Sequence, residues 1–151
     1  MTKDVLALAP AYWDALGRGV GAIALYAVIG LVLILLGFYA IDVAVPGPLR
    51  EMVDHGKPNA IIVAAAGMVS MALIVVLAIF ASSGKLLEGL ISATVFGLVG
   101  IVAEVVMMRV ATLVLGIDMH ALFAADEYNH ESLLVAAAQF SLGIVVAVAI
   151  L

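Results

Sequence analysis

The sequence predicts an all-α integral membrane protein built from four transmembrane helices. Hydrophobic residues form 67% of the chain and charged residues only 11%, whereas a soluble domain is roughly half apolar and a quarter charged. The mean hydropathy is +1.34. A helix needs about 20 apolar residues to cross a hydrocarbon core about 30 Å thick, and four runs approach that length. Their expected bounds are residues 20–41, 59–82, 90–114 and 132–151.

The composition also excludes several function classes. A net charge of −5 argues against the basic surface that attracts nucleic acids or anionic lipids, so we expect no nucleic-acid partner. The chain has no cysteine, which excludes disulfides and thiolate chemistry, and no motif indicates a cofactor. We expect a single membrane domain, residues 1–151, embedded in the lipid bilayer.

Residues 1–16 precede the first span and predict a short interfacial helix that leads into it. Tyr12 and Trp13 suit the headgroup level, where amphipathic rings settle. Pro10 would kink this helix or mark its start. The apolar positions recur at spacings of three and four residues: Val5, Leu8, Tyr12 and Leu16.

Small residues along the spans predict close helix packing. The first span, residues 20–41, carries no charge, and Gly17 with Gly21 forms a GxxxG step at its entry. Small side chains at such spacings let helix backbones approach each other in lipid. We assign this packing role to five glycines in the spans: Gly30, Gly37, Gly67, Gly97 and Gly143.

Two connections flank the second span, residues 59–82. Pro46-Gly47-Pro48 ends the first helix, and residues 49–56 predict a short surface helix. His55 is expected to be solvated there, because no second metal ligand lies at a matching spacing. The turn Ser82-Ser83-Gly84-Lys85 is tight, which places the second and third helices side by side and antiparallel.

Two charges interrupt the third span, and we expect the other helices to pack around or beside it. From Leu90, Glu104 lies about 21 Å along the helix and Arg109 about 28 Å. Arg109 can extend to the far interface with its long stem, but Glu104 cannot, and a central charge costs roughly 2.5–3.5 kcal/mol. The two side chains point about 140° apart, so they do not pair within the helix. Glu104 must therefore be protonated, bound to another helix or subunit, or facing water.

The fourth span, residues 132–151, supplies an expected partner for Glu104. Measured from the preceding loop, Gln139 lies about 12 Å deep, Ser70 about 16 Å and Glu104 roughly 15–18 Å. We therefore predict an intramembrane polar cluster of Ser70, Glu104, Arg109 and Gln139, in which Gln139 is the first choice of partner for Glu104. Replacing Gln139 with Leu is expected to lower stability. The cluster is either a structural hydrogen bond between helices or part of a transport or proton path.

The loop before this span, residues 117–131, is acidic and carries no Lys or Arg. Glu127-x-x-His130, with His120 upstream, is half of the pattern found in carboxylate-bridged di-metal sites. Those sites need two such pairs and two further glutamates, so we predict a solvated acidic loop and no metal site.

An internal duplication is also predicted. Val63-Ala64-Ala65-Ala66 recurs as Val135-Ala136-Ala137-Ala138, which divides the chain into halves 17–84 and 89–151. Each half contains two spans, so both halves have the same orientation and are related by an axis along the membrane normal. Counting Lys and Arg in the loops slightly favours termini in the cytoplasm.

The chain resembles the YjfL-like family of bacterial inner-membrane proteins, which have four spans in two tandem halves. The resemblance covers nearly the whole chain after the N-terminal segment and implies the bacterial plasma membrane, with no established activity. The chain departs from the family where Glu104 replaces an amide and Lys57 an asparagine. The matching motifs are Pro46-Gly47-Pro48-Leu49-Arg50-Glu51, Gly56, Asn59, Gly67, Leu87-Glu88-Gly89-Leu90, Phe96-Gly97-Leu98-Val99-Gly100-Ile101 and Val135-Ala136-Ala137-Ala138.

Three functions fit these features. The first is a non-enzymatic membrane protein that works by assembling with itself or with another membrane protein. The alternative is an oligomeric conduit for ions, protons or small solutes with Glu104 on the path. An intramembrane enzyme fits least, because no Ser/His/Asp set, HExxH motif or phosphate loop is present.

Overall fold

The computed structural model describes residues 10–45, 47–82 and 85–151, and every regular element in these ranges is an α-helix. All four long helices have the length and composition to cross a membrane, which confirms the predicted fold class. Two six-residue helices lie in the long connections. In chain order the elements are α1 (Pro10–Ala44), α2 (Leu49–Asp54), α3 (Pro58–Phe80), α4 (Leu86–Leu115), α5 (Met119–Ala124) and α6 (His130–Ala149).

The first helix is longer than the sequence indicated. α1 has 35 residues and begins at Pro10, so residues 10–16 continue into the first span without a break. The remainder of the predicted interfacial segment lies outside the described residues. At 1.5 Å per residue α1 is about 52 Å long, against about 35 Å for the 23 residues of α3. α1 therefore exceeds the thickness of the hydrocarbon core.

The central helix is α3, and not α4 as the charges had suggested. α3 packs against α1, α2, α4, α5 and α6, most extensively against α6. It can do so because residues 58–80 carry no charge and because small residues are buried along it, including Ala60, Ala64 and Gly67. Surrounding α3 therefore places no charged side chain of this helix in the interior.

The contacts between helices give their relative directions. Leu33 of α1 meets Gly97 of α4 and Gly37 meets Ile101, so residue numbers rise together and the two helices run in the same direction. Gly67 of α3 lies against Gln139 of α6 and Ser70 lies against Gly143, so α3 and α6 also run in the same direction. The duplication of the sequence and the shared orientation of its two halves stay predictions.

The acidic connection is less solvated than predicted. Asp118, Asp126, Glu127 and Glu131 are exposed as expected, but α5 buries three apolar side chains against α2, α3 and the ends of the long helices. Burial of these apolar side chains stabilises the packing of α5 against the bundle, although the segment around it is acidic. Within the described residues no group of three His, Cys, Asp or Glu could hold a metal ion. The buried side chains are Met119, Leu122 and Phe123.

Asn59 fastens this connection to the start of α3. Its Nδ2 donates to the backbone oxygens of Leu122 at 3.1 Å and Glu127 at 2.9 Å. Its Oδ1 accepts from the backbone N–H of Asn129 at 2.8 Å. Asn59 is fully buried, and an amide with both ends bonded meets the requirement for a polar group without water.

Candidate functional site: a buried polar junction

Three polar side chains from three different helices meet inside the bundle. They are Ser70 of α3, Glu104 of α4 and Gln139 of α6, and their exposed fractions are 0%, 1% and 1%. Charged and amide side chains at such burial are rare and expensive in a membrane interior. This junction is therefore the candidate functional site.

Glycines bring the three helices close enough for this contact. A Cβ added to Gly143 of α6 would overlap the Ser70 hydroxyl and lie only 2.9 Å from Ser70 Cα. A Cβ on Gly67 of α3 would lie 3.3 Å from Gln139 Nε2. Because neither glycine has a side chain, α3 and α6 can approach each other closely. Gly143 leaves space for the Ser70 hydroxyl, and Gly67 leaves space for the Gln139 amide.

The Ser70 hydroxyl is the direct partner of the acid. Ser70 Oγ donates a hydrogen bond to Glu104 Oε1, and the backbone oxygen of Gln139 is a second acceptor 3.3 Å from the same hydroxyl. A hydroxyl has one hydrogen, so it serves one acceptor at a time. If Glu104 is protonated, it can donate to Ser70 while Ser70 donates to Gln139, which forms a continuous chain.

Three atoms of the junction have no hydrogen-bond partner among residues 10–45, 47–82 and 85–151: Glu104 Oε2, Gln139 Oε1 and Gln139 Nε2. The Gln139 amide lies beside the Glu104 carboxyl group without forming a hydrogen bond to it. Buried polar atoms without partners cost free energy, so their presence at one point distinguishes this junction from an ordinary packing contact.

The sequence named Gln139 as the first choice of partner for Glu104. In the structure Ser70 donates to Glu104, and the Gln139 amide lies beside the same carboxyl group. The destabilisation expected for Gln139→Leu stays a prediction. Depth along a helix could be computed from the sequence, but the rotation that turns Ser70 towards Glu104 is set by packing.

Arg109 lies apart from the junction. It is exposed on α4, five residues beyond Glu104 and about 140° around the helix. The ion pairs within the described residues are Lys57 with Asp126 and Lys85 with Glu88, so neither involves Arg109 or Glu104.

The five predicted packing glycines all face neighbours within the same chain. Gly30 lies against Val75, Gly37 against Met71, and Gly97 against Leu33, where a Cβ would lie 3.6, 3.0 and 2.6 Å from the nearest atoms. Gly67 and Gly143 line the junction. Sequence reasoning missed Gly89 and Gly100, which are equally crowded, although Gly97-x-x-Gly100 with Ala93 forms a readable small-residue face.

Lys57 and Asp126 join the two long connections at the surface. The hydrogen bond that Lys57 donates, followed by its positive charge, holds the pKa of Asp126 below its ordinary value. Asp126 is largely exposed, since its side chain keeps 89% of its accessible surface. The pair therefore positions the connections and contributes little to stability.

Comparison with known proteins identifies the chain's relatives. Residues 15–150 match the family described as Domain of Unknown Function (DUF350). The chain belongs to this family. A UPF0719 transmembrane protein of Mycolicibacterium paratuberculosis is 35% identical over 114 residues, which cover 75% of this chain and 70% of the relative. No solved structure matches the chain.

A second relative of this DUF350 chain gives the same description. A UPF0719 transmembrane protein of Mycobacterium bovis is 38% identical over 81 residues, or 53% of each chain, so this chain spans about half of that relative's length. Both names describe transmembrane proteins, in agreement with the four long apolar helices. The protein is thus an integral membrane protein of a family whose function is unknown.

Proposed function

We propose that this DUF350 protein is a non-enzymatic membrane protein that acts by assembling with further copies of itself in the bacterial plasma membrane. The observation that supports this proposal is the N-terminal part of α1. Every residue from 12 to 21 is exposed, and Tyr26 makes the first hydrogen bond from α1 to another helix, to the backbone oxygen of Leu86 at 3.4 Å.

The exposed part of α1 carries a surface suited to a second helix. Gly17 and Gly21 have no atom within 4 Å of an added Cβ and lie about 40° apart around the helix. Val20 and Val28 lie on the same side of the helix, are apolar and are exposed by 59% and 60%. Unlike the glycines deeper in the bundle, this GxxxG step is not used within the described chain, and such steps support close helix dimers in membranes.

A second copy of the chain is the simplest partner for this surface. A two-fold axis brings the same patch of each copy together and closes the assembly at a dimer. The alternative partner is another membrane protein, which becomes the favoured partner if the purified chain is monomeric.

The test compares three glycines of one helix. Gly17→Ile and Gly21→Ile alter the proposed contact, whereas Gly19→Ile changes an equally exposed glycine about 200° from Gly17 around the helix. Native mass spectrometry from lipid nanodiscs is expected to give dimers for wild type and Gly19→Ile, and monomers for the other two. Monomers for all four proteins would exclude self-assembly. Dimers for all four proteins would exclude the Gly17–Gly21 surface as the contact between the two copies.

Membrane orientation belongs to the same proposal. We place both termini in the cytoplasm, because the side bearing Lys3, Arg18 and Lys85 has one more basic residue than the side of the long connections. Reporter fusions active only in the cytoplasm or only in the periplasm test this directly at the C-terminus, and periplasmic activity there would reverse the assignment.

A second candidate function is a conduit for ions, protons or small solutes, favoured by the buried junction. Because α3, α4 and α6 enclose Glu104 within one chain, such a path would run through the bundle and past Ser70. Flux into liposomes should then fall in Glu104→Gln relative to wild type. Equal flux in the two proteins would exclude a path through Glu104.

A further inference from the structure

We propose that the junction of Ser70, Glu104 and Gln139 is a binding site for one monovalent cation, a proton or a sodium ion. The proposal concerns the state of a single chain. It requires neither the α1 contact between copies nor net flux across the membrane.

The negative charge of an ionised Glu104 would need a compensating positive charge. An ionised carboxylate enclosed in a bundle must be paired or neutralised, because its solvation by water is lost. No Lys, Arg or His nitrogen lies within ion-pair distance of Glu104 in the described ranges. The neutralising charge must therefore come from a bound cation.

The helices α3 and α6 bring no titratable side chain close to Glu104. α3 carries no titratable side chain between Pro58 and Phe80. α6 carries only His130 and Glu131, eight or nine residues before Gln139 and so about 12 Å away along the helix.

The remaining groups lie on α4 and α1. Glu88 is 16 residues from Glu104 on α4, or about 24 Å, and Arg109 is exposed. On α1, Tyr26 bonds to the backbone of Leu86, and Asp42 accepts from the Arg50 backbone N–H at 2.9 Å. Asp14, Arg18 and Tyr39 are exposed.

The oxygen atoms of the junction could serve as ligands for a cation. The junction presents both carboxyl oxygens of Glu104, the Ser70 hydroxyl, and the side-chain and backbone oxygens of Gln139. Two of these oxygens, Glu104 Oε2 and Gln139 Oε1, have no hydrogen-bond partner among the described residues. Oxygen ligands suit hard cations.

The single carboxylate of Glu104 favours a ligand with one positive charge. Glu104 contributes a single negative charge, so a monovalent cation leaves the junction neutral. A divalent cation would leave one uncompensated positive charge at a depth where a charge is costly. A proton on Glu104 also completes the chain from Glu104 through Ser70 to the backbone oxygen of Gln139.

Infrared spectroscopy of the full protein in lipid tests the proposal. The difference spectrum of wild type minus Glu104→Gln isolates the carboxyl band of Glu104 from those of the other acids. Spectra are recorded at pH 6 in choline chloride, and then in sodium chloride and potassium chloride at equal ionic strength. Native mass spectrometry or a melting curve verifies that Glu104→Gln is folded.

A C=O band of a protonated carboxylic acid in choline chloride is expected and shows a bound proton. Loss of this band on addition of sodium chloride, but not choline chloride, shows that sodium occupies the same site. An ionised carboxylate band at pH 6 that is identical in all three salts would overturn the proposal, because the charge would then be buried without a cation.

Two variants connect the cation to this junction. Gln139→Leu removes one oxygen ligand without breaking a hydrogen bond, and Ser70→Ala removes the hydroxyl. Each should shift the pH or the sodium concentration at which the Glu104 band changes, whereas Thr94→Ala, which removes a hydroxyl bonded within its own helix, should not. The spectra are also recorded with Gly17→Ile, so that loss of assembly and loss of the cation site are seen separately.

Discussion

Ser70 of α3 and Glu104 of α4 meet as hydrogen-bond donor and acceptor in the interior of the bundle. The backbone oxygen of Gln139 on α6 lies 3.3 Å from the same hydroxyl, so one serine connects three helices. Gly143 makes this possible by leaving space for Ser70 against α6. A fully buried polar contact therefore coincides with a close approach of two helices.

Coupling between Ser70 and Glu104 should be measurable in a double-mutant cycle. Ser70→Ala is expected to lower the free energy of unfolding by about 1–3 kcal/mol, because it leaves a buried carboxyl oxygen without its donor. With Glu104→Gln as the second substitution, the interaction energy should reach about 0.5–2 kcal/mol. Unfolding by denaturant in mixed micelles measures all four proteins. Additive effects of the two substitutions would refute the contact, and Thr94→Ala serves as the hydroxyl control.

Gly143→Ala should separate α3 from α6. The new Cβ would lie 2.9 Å from Ser70 Cα, and backbone atoms cannot move aside as a flexible side chain can. We expect a loss of about 1–3 kcal/mol in unfolding free energy, which is typical of overpacking. Gly19→Ala is the control, because its Cβ meets no atom within 4 Å and alanine favours helix by up to about 1 kcal/mol. Equal effects of the two substitutions would show that α3 and α6 are not tightly packed.

Asn59→Ala should release the acidic connection from α3. The backbone groups of Leu122, Glu127 and Asn129 would lose their partner, at a cost on the order of 1–3 kcal/mol. Hydrogen exchange should accelerate at the Asn129 amide, which now donates to Asn59 at 2.8 Å. The exposed His55 provides the control substitution, His55→Ala. Unchanged exchange at Asn129 in Asn59→Ala would contradict this assignment.

Lys57→Gln should raise the pKa of Asp126 towards its ordinary value. Lys57 lowers that pKa through its hydrogen bond and its charge. Because the pKa of Asp126 is lower in the folded chain, the ionised carboxylate stabilises the fold above the unfolded pKa of about 3.9, and this stabilisation is lost as the pH falls through the folded pKa. The stability difference between wild type and Lys57→Gln should therefore begin to shrink below about pH 4 and disappear once the pH is below the folded pKa. Carboxyl NMR titration of Asp126 measures the pKa, Lys85→Gln is the control, and an unmoved pKa in Lys57→Gln would exclude the pair.

Hydropathy was sufficient to predict the number of spans, because the thickness of the bilayer imposes a minimum helix length. It could not predict the centre of the bundle. Glu104 and Arg109 drew attention to α4, but small residues such as Ala60 and Gly67 decide which helix can be surrounded, and these lie on α3.

The depth of each site residue in the membrane could be predicted from the sequence, but the direction in which its side chain points around the helix could not. A uniform rise per residue places Ser70, Glu104 and Gln139 at similar depths, whereas the direction in which each points depends on contacts such as that of Gly143 with Ser70. Arg109 was predicted as part of the same cluster, but it is exposed on α4. The burial of α5 had a signal that was overlooked, since Met119, Leu122 and Phe123 follow helical spacing inside the acidic run.

Cysteine crosslinking in native membranes tests the central contact most directly, because the chain has no cysteine of its own. Ser70→Cys combined with Glu104→Cys is expected to form a disulfide within one chain on mild oxidation. Ser70→Cys combined with Val102→Cys is expected not to, because Val102 is 63% exposed and lies about 200° from Glu104 around α4. Crosslinking of the Val102 pair instead of the Glu104 pair would contradict the buried junction.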